Sequence, residues 1–463
     1  MRFGCLVAAV IGLLVAGGGA ASAQSPSPNP LVRADLITEV LPTGAHVVAV
    51  AIKYSRALDS RAQFNSSAFS VTATIKGVTA PRTVTDVYPN TSARVDATGH
   101  RGRSGRYLII ELDPSDANAA AQEYTEETWT VPFPLVGAYS IRQTADIVNS
   151  GGQVILPASP FAVANDGVTN RIVDDFVPMS FTDSAGTTLE FRLFVPQRYR
   201  DNPNGSPTYP LVTFLHGAGE TGDSNLTQLT ANQGAVAFAD NERQRRNPSF
   251  VLAPQLPPPI NDFENNNWAV PDTKAAVVEL IDAVAASYPV NDDRLYLTGL
   301  SMGAIGILGI LPDHPTKFAA ALAIAGIDPN EDPSALTRAK NVPLWLAHSI
   351  DDPVVPYTEG SQAIANALEA AGARVTRGTW PANLDDQAAE ARARRLWRQA
   401  RRNQSHTLLT SYTPDTTPVS GHQSWIPTYQ NDVMIDWLYS HKRSADASVS
   451  RRTHRSGRIA AVR

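Results

Sequence analysis

Two patterns of apolar and polar positions divide this chain. From Leu31 to about Ala164 the chain reads as short strands, as in Ala45–Lys53, Phe69–Ile75 and Tyr107–Glu111. Pro, Gly, Asn and Asp separate them, and no long helical period intervenes. Strands bounded by turn residues at this spacing predict an antiparallel sandwich of immunoglobulin-like size over residues 31–165. The Cys…Trp…Cys signature is missing, so the strand topology stays open.

After Val173 the pattern changes. Thr187–Val195 reads as a strand. Pro210–Leu215 is apolar throughout its centre, as a strand covered on both faces should be. Phe250–Ala253 follows, then a helix over Asp272–Tyr288 with Ala276, Leu280, Ile281 and Val284 on one face and Asp272 in its first turn, where negative charge suits the helix dipole. Leu295–Thr298, Ala319–Ala325 and Pro343–Ala347 complete an alternating β/α series. Such a series predicts a mostly parallel sheet with helices on both faces, over residues 171–442. Functional groups then gather at the carboxyl ends of the strands.

The first residues change the picture of where the chain works. Arg2, the apolar stretch Cys5–Val15 and the small-residue site Ala21-Ser22-Ala23 have the form of a secretory leader over residues 1–23, cut before Gln24. The apolar stretch is short and followed by a cleavage site, so a stable membrane anchor is not expected. Residues 24–30, QSPSPNP, form a Ser/Pro linker. Cys5 is the only cysteine, so the mature chain would have no disulfide, thiol nucleophile or thiolate metal site. The formal charge is −5, and the Ser/Arg-rich tail, taken as disordered over 443–463, carries about +6 with Lys442. Without Arg2 and that tail the body stands near −12, which argues against nucleic acid as a partner. Oligomeric state is not legible.

Gly299-Leu300-Ser301-Met302-Gly303 fits G-x-S-x-G between a strand and an apolar helix start, Ala304–Ile310. That context puts a serine hydroxyl on a sharp turn above the sheet. The flanking glycines remove Cβ atoms where the backbone reverses. A serine hydroxyl needs a neighbouring base, and the base an orienting carboxylate. In this fold the order along the chain is nucleophile, acid, histidine. Asp351 and Asp352 follow the strand that ends at His348. Asp352 directly precedes Pro353-Val-Val-Pro356 and is the stronger candidate, with Asp351 the alternative. His422, in Gly421-His422-Gln423-Ser424-Trp425, precedes a final helix near Thr428–Tyr439 and is the candidate base. Developing negative charge needs N–H donors. The Met302 N–H is one candidate. A second comes from Leu215-His216-Gly217-Ala218-Gly219-Glu220, with Ala218 ahead of Gly219. His216 would orient that loop. His348 reads as an ordinary strand-end residue. No metal or cofactor is called for.

Together, LHGAGE, GLSMG, DDPVVP and GHQSW resemble the serine esterases of the α/β-hydrolase superfamily, in the secreted branch near poly(3-hydroxybutyrate) depolymerases and feruloyl esterases. Some members of that branch carry an immunoglobulin-like domain ahead of the catalytic one. The resemblance implies an α/β-hydrolase fold and an ester substrate, with Ser301 as nucleophile, Asp352 as acid and His422 as base. It also implies that Gln255 and Trp268 shape the cleft, together with His216, Glu220 and Trp425 from the motifs themselves.

One stretch departs from that pattern. Asp385–Arg402 reads as a helix capped by Asn383 and rich in arginine (Arg392, Arg394, Arg395, Arg398, Arg401, Arg402). It is either a solvated surface helix or a lid beside His422. Two other functions stay open from sequence: a peptidase using the same constellation, and a secreted binding protein whose working part is the sandwich.

Overall fold

The computed structural model describes residues 31–96, 102–205, 207–260, 262–330 and 334–443, and the backbone of 458–461. The leader and linker expected over 1–30 lie outside the described residues. The amino-terminal part is a sandwich. One sheet runs in the order Gly167–Asn170, Leu31–Leu41, Gly44–Leu58, Gly105–Leu112, Val84–Asn90. The facing sheet runs Val163–Ala164, Tyr139–Gln143, Phe69–Ile75, Val78–Arg82. Alternating positions of both sheets, among them Leu36, Val50, Ile52, Val71, Ile110 and Ile141, fill the space between them. Arg82 is buried at 4 % exposure, and four groups satisfy its guanidinium: Asp116, the Tyr139 hydroxyl, and the carbonyls of Val47 and Asp113. The sandwich extends past the expected end at 165. Gly167–Asn170 pairs in parallel with Asp35–Thr38, so the boundary falls at the short turn before Phe176.

The second part is a ten-stranded sheet. Its order is Val375–Trp380, Thr407–Tyr412, Leu344–Ser349, Ala320–Ile324, Val290–Leu300, Tyr209–Leu215, Phe250–Gln255, Thr188–Phe194, Phe176–Thr182, Arg458–Ala461. From Val375–Trp380 to Phe250–Gln255 all neighbours are parallel, and the last three strands are antiparallel. The central strands are fully buried, which is why their sequences read as unbroken apolar runs. The helix Pro271–Ser287 opens with Pro at its first position, where the missing N–H costs nothing, and buries Ala276, Leu280, Ile281 and Val284 as its periodicity predicts. The expected final helix divides into Trp425–Gln430 and Asp432–Tyr439, because Asn431 ends the first and caps the second by accepting from Val433 and Met434.

The tail needs a partial correction. Arg458–Ala461, expected to be disordered, pairs antiparallel with Met179–Thr182 at the sheet edge, whose free N–H and C=O groups accept a further strand. The arginine-rich helix spans Asp386–Asn403 and is capped by Asp385, which accepts from Ala388, and not by Asn383. It buries Ala393, Leu396 and Ala400 and keeps its arginines exposed.

The two parts pack together. One continuous apolar cluster includes sandwich residues such as Val40, the sheet residue Phe214 and the helix residue Leu229. Gln122 donates to the Thr230 carbonyl at 3.2 Å, and Gln233 to the Val40 carbonyl at 3.3 Å.

Candidate active site

Four loops meet at the carboxyl ends of the central strands. The strand ending at Leu300 turns directly into the helix Met302–Asp313, and Ser301 occupies the turn with φ 50° and ψ −120°. A β-substituted residue holds that conformation only under strain, here fixed by the Ser301 N–H bond to Ile324 and the Ile305 N–H bond to the Ser301 carbonyl. The turn is tight enough that a Cβ on Gly303 would lie 1.9 Å from the Leu215 carbonyl oxygen, so the second glycine of the motif is a steric requirement.

His422 lies across from this turn, in a short 3₁₀ turn capped by Ser420. Its Nε2 is 3.0 Å from Ser301 Oγ, and its Nδ1 is 2.8 Å from Asp352 Oδ2 and 3.0 Å from Oδ1. A carboxylate only accepts, so His422 carries its proton on Nδ1 and turns a bare Nε2 toward the serine hydroxyl. The Trp425 ring meets the imidazole edge-on at 5.2 Å. Asp351 faces away from His422, accepting from Ser349 Oγ and the Asp415 N–H.

Asp352 is held by more than His422. Its Oδ1 accepts from the Val354 and Val355 N–H groups, and its Oδ2 from His348 Nε2 at 3.0 Å. The Val355 carbonyl also faces His348 Nε2 at 3.0 Å, which puts the His348 proton on that nitrogen, while Nδ1 accepts from Ser361. Burial alone would push the Asp352 carboxyl up, but the bonds from His348, His422 and Val355 outweigh it and hold the group well below the usual carboxylate range. His348, read from sequence as an ordinary strand-end residue, is a direct support of this carboxylate.

The loop after Leu215 folds as a 3₁₀ turn over Ala218–Glu220. The opening N–H groups of a helical segment have no acceptor within it, and Met302, Ala218 and Gly219 all occupy such positions beside Ser301. His216 anchors the loop from behind. Fully buried, it donates from Nδ1 to the Gly217 carbonyl and accepts the Leu256 N–H at Nε2, and burial lowers it to about 4, so it stays neutral. Trp268 stacks edge-on against it at 4.9 Å and donates to its carbonyl. Gln255 donates to the Glu220 carbonyl and Thr227 Oγ1 and accepts the Asn225 N–H. None of His216, Gln255 and Trp268, expected to shape the cleft, is among its lining residues. All three are buried beneath its floor, their polar groups taken up by the backbone they support.

Above Ser301 opens a cleft of about 520 Å³. Glu220 and Trp425 line it, with Gly217, Ala218, Leu300, Val354 and Val419. The opposite wall comes from the sandwich: Pro42 and Thr43 of one turn, and Gln122, Glu123, Tyr124 and Thr130 of the hairpin joining Gln122–Thr125 to Trp129–Pro132. Tyr124 lies against the oxyanion-loop candidate Gly219, where an added Cβ would come within 3.1 Å of the ring. None of these sandwich residues carries a local motif, and only their place in the fold identifies them. Among the described residues, no side chain of the arginine-rich helix lines this cleft. No described helix is long and apolar enough to cross a membrane.

Residues 182–432 match the putative esterase family, and residues 33–156 match the esterase Ig-like N-terminal domain. The chain belongs to the putative esterase family. Its esterase domain and Ig-like domain together resemble a crystal structure of a thermostable esterase, with 30 % identity and a TM-score of 0.74 over 89 % of this chain and all of that one. Poly(3-hydroxyalkanoate) depolymerase C of Paucimonas lemoignei is 28 % identical over 138 residues, 28 % of this chain and 31 % of its own length. Acyl-protein thioesterase 1 of Candida albicans is 27 % identical over 184 residues, 34 % of this chain and 77 % of its own length. The chain thus spans about a third of the length of the depolymerase it matches.

Proposed function

We propose that this esterase-family protein hydrolyses carboxylic esters through an acyl-enzyme on Ser301. The observation that carries the proposal is the unbroken hydrogen-bonded chain from Ser301 Oγ through His422 to Asp352, at the foot of an open cleft. His422 Nε2 takes the serine proton as Oγ attacks the ester carbonyl. The N–H groups of Met302 and of Ala218 or Gly219 receive the oxyanion; each such donor is worth roughly 3–4 kcal/mol in a transition state. The His422 imidazolium, steadied by Asp352, passes its proton to the leaving alkoxide. Water then attacks the acyl-enzyme, losing its proton to the same nitrogen, and Ser301 is regenerated.

Apolar groups on the cleft walls, Tyr124, Leu300, Val354, Val419 and Trp425, suit an apolar acyl or alcohol group. We assign the Ig-like domain a direct part in substrate binding, through Tyr124 and Thr130. We also place the protein outside the cytoplasm on the leader-like pattern of residues 1–23, which amino-terminal sequencing of exported protein starting at Gln24 would test.

The direct test compares p-nitrophenyl acetate and butyrate with p-nitroanilide peptides for the wild type and Ser301→Ala. Ester turnover that disappears in a folded Ser301→Ala supports the proposal. Undiminished turnover, or a preference for the anilides, overturns it.

A further inference from the structure

Glu220 is a buried acid on the wall of the Ser301 cleft, and the ester mechanism gives it no task. Its residue exposure is 8 %. Oε1 accepts from Asn232 Nδ2 at 3.0 Å, and the Asn232 carbonyl oxygen accepts in turn from the Gly234 N–H, which fixes the amide's orientation. Oε2 is buried and has no hydrogen-bond partner. It points at the bend below Gly217. Around the position a Gly217 Cβ would occupy, Glu220 Oε2 is at 3.1 Å and Ser301 Cβ at 3.6 Å. The acid and the serine therefore both adjoin Gly217, at the root of the loop that carries Ala218 and Gly219.

The surroundings offer this acid no cation. His216 Nδ1 lies 3.9 Å from Oε2 but is committed to the Gly217 carbonyl, and burial keeps that ring neutral. The other titratable groups on the cleft lining are Glu123, Tyr124 and His422. Among the described residues the lining holds no Lys or Arg. Glu126 and Glu220 both act on Tyr124, and the hairpin's Glu123 is paired with Lys76, so the hairpin itself brings no cation to the acid. A carboxylate here would be a buried charge with one oxygen unpaired, which is costly, whereas the neutral acid removes that charge and keeps the Asn232 bond to Oε1. Burial raises its pKa to about 7, against weaker opposing pulls from Asn232 and the Gly217 and Glu220 backbone N–H groups.

We propose that Glu220 is a positioning residue that works as a neutral carboxylic acid, bracing the oxyanion loop through Asn232 while keeping negative charge away from the oxyanion forming on Ser301's substrate. Its ionisation would set a carboxylate beside a developing negative charge and weaken the loop's donors. This rests on the reading of Ser301 as the nucleophile. The consequence is a fall in acylation as Glu220 loses its proton.

The experiment measures kcat/KM for p-nitrophenyl butyrate, and the rate of Ser301 labelling by a fluorophosphonate, from about pH 5 to pH 9. For the wild type we expect both rates to drop on the order of tenfold on the alkaline side of an ionisation near neutrality. Glu220→Gln, neutral at every pH and able to keep the Asn232 bond, should match the wild type at acidic pH and hold its rate on the alkaline side. A flat alkaline limb in the wild type overturns the proposal without any variant. A Glu220→Gln enzyme that retains the wild-type alkaline fall, or is slow at every pH with its profile unmoved, also overturns it. Failure of the nucleophile reading would look different, with no labelling of Ser301 at any pH.

Discussion

Replacing Asp352 by asparagine tests the geometry of the site with almost no change of shape. The side-chain oxygen of the new amide must stay with the Val354 and Val355 N–H groups, which can only donate. The NH₂ group then takes the place of Oδ2, facing His348 Nε2 and His422 Nδ1 at 3.0 and 2.8 Å. His422 avoids a clash of donors by moving its proton to Nε2, toward Ser301, where it can no longer accept the serine proton. The charge is lost as well. At an effective dielectric of about 20, an imidazolium and a carboxylate about 4 Å apart attract by about 4 kcal/mol, a factor of about 10³ in rate. Adding the wrong tautomer brings the expected loss in kcat to the order of 10⁴, about 5 kcal/mol. The assay is steady-state hydrolysis of p-nitrophenyl butyrate, with circular dichroism confirming the fold and KM expected to stay within about threefold. A folded Asp352→Asn enzyme that keeps more than about a tenth of wild-type kcat would refute the reasoning.

Other outcomes follow from the same structure. Gly303→Ala places a Cβ 1.9 Å from the Leu215 carbonyl oxygen, so the thermal midpoint should fall by the equivalent of about 3 kcal/mol or the protein should fail to fold, measured by calorimetry. Tyr124→Ala removes the sandwich-domain ring at Gly219 and should raise KM for bulky esters about tenfold with little change for acetate, checked by comparing acyl chain lengths. Glu220 also ties stability to pH. Its pKa is raised from 4.5 to about 7 in the folded chain, so the unfolded chain loses its proton first. The acid's contribution is complete below pH 4.5 and is lost as pH climbs to about 7, a drop of about 3 kcal/mol. Urea titrations should find that drop in the wild type and a smaller one in Glu220→Gln.

The parts legible in sequence were those where local pattern and burial agree. Leu211–Leu215 and Ala320–Ile324 are buried on both faces, and their unbroken apolar runs read directly as central strands. Val375–Trp380 is not legible in sequence because it is a half-exposed edge strand: Thr376 and Trp380 turn inward while Arg377 pairs with Glu369 outside. Ser301, Asp352 and His422 could be proposed because each sits in a short motif and the three fall in a known order. His348 could not, since nothing local distinguishes a carboxylate-bracing histidine from a packed one, and its role appears only when Val355 and Ser361 fold around it. The motifs of Gln255 and Trp268 adjoin the site, but sequence does not say on which side of a loop a residue lies. Tyr124 is the counterpart, more than 170 residues from Ser301 in the chain yet across the cleft from it.

The central claim is that Ser301 is the nucleophile of an ester hydrolase. Incubating the folded protein with a fluorophosphonate and mapping the adduct by peptide mass spectrometry tests it most directly. The account predicts one phosphonyl group, on Ser301, with ester hydrolysis lost in step with labelling and no labelling in His422→Ala. An adduct on another residue, or full hydrolysis by protein labelled at Ser301, would contradict it.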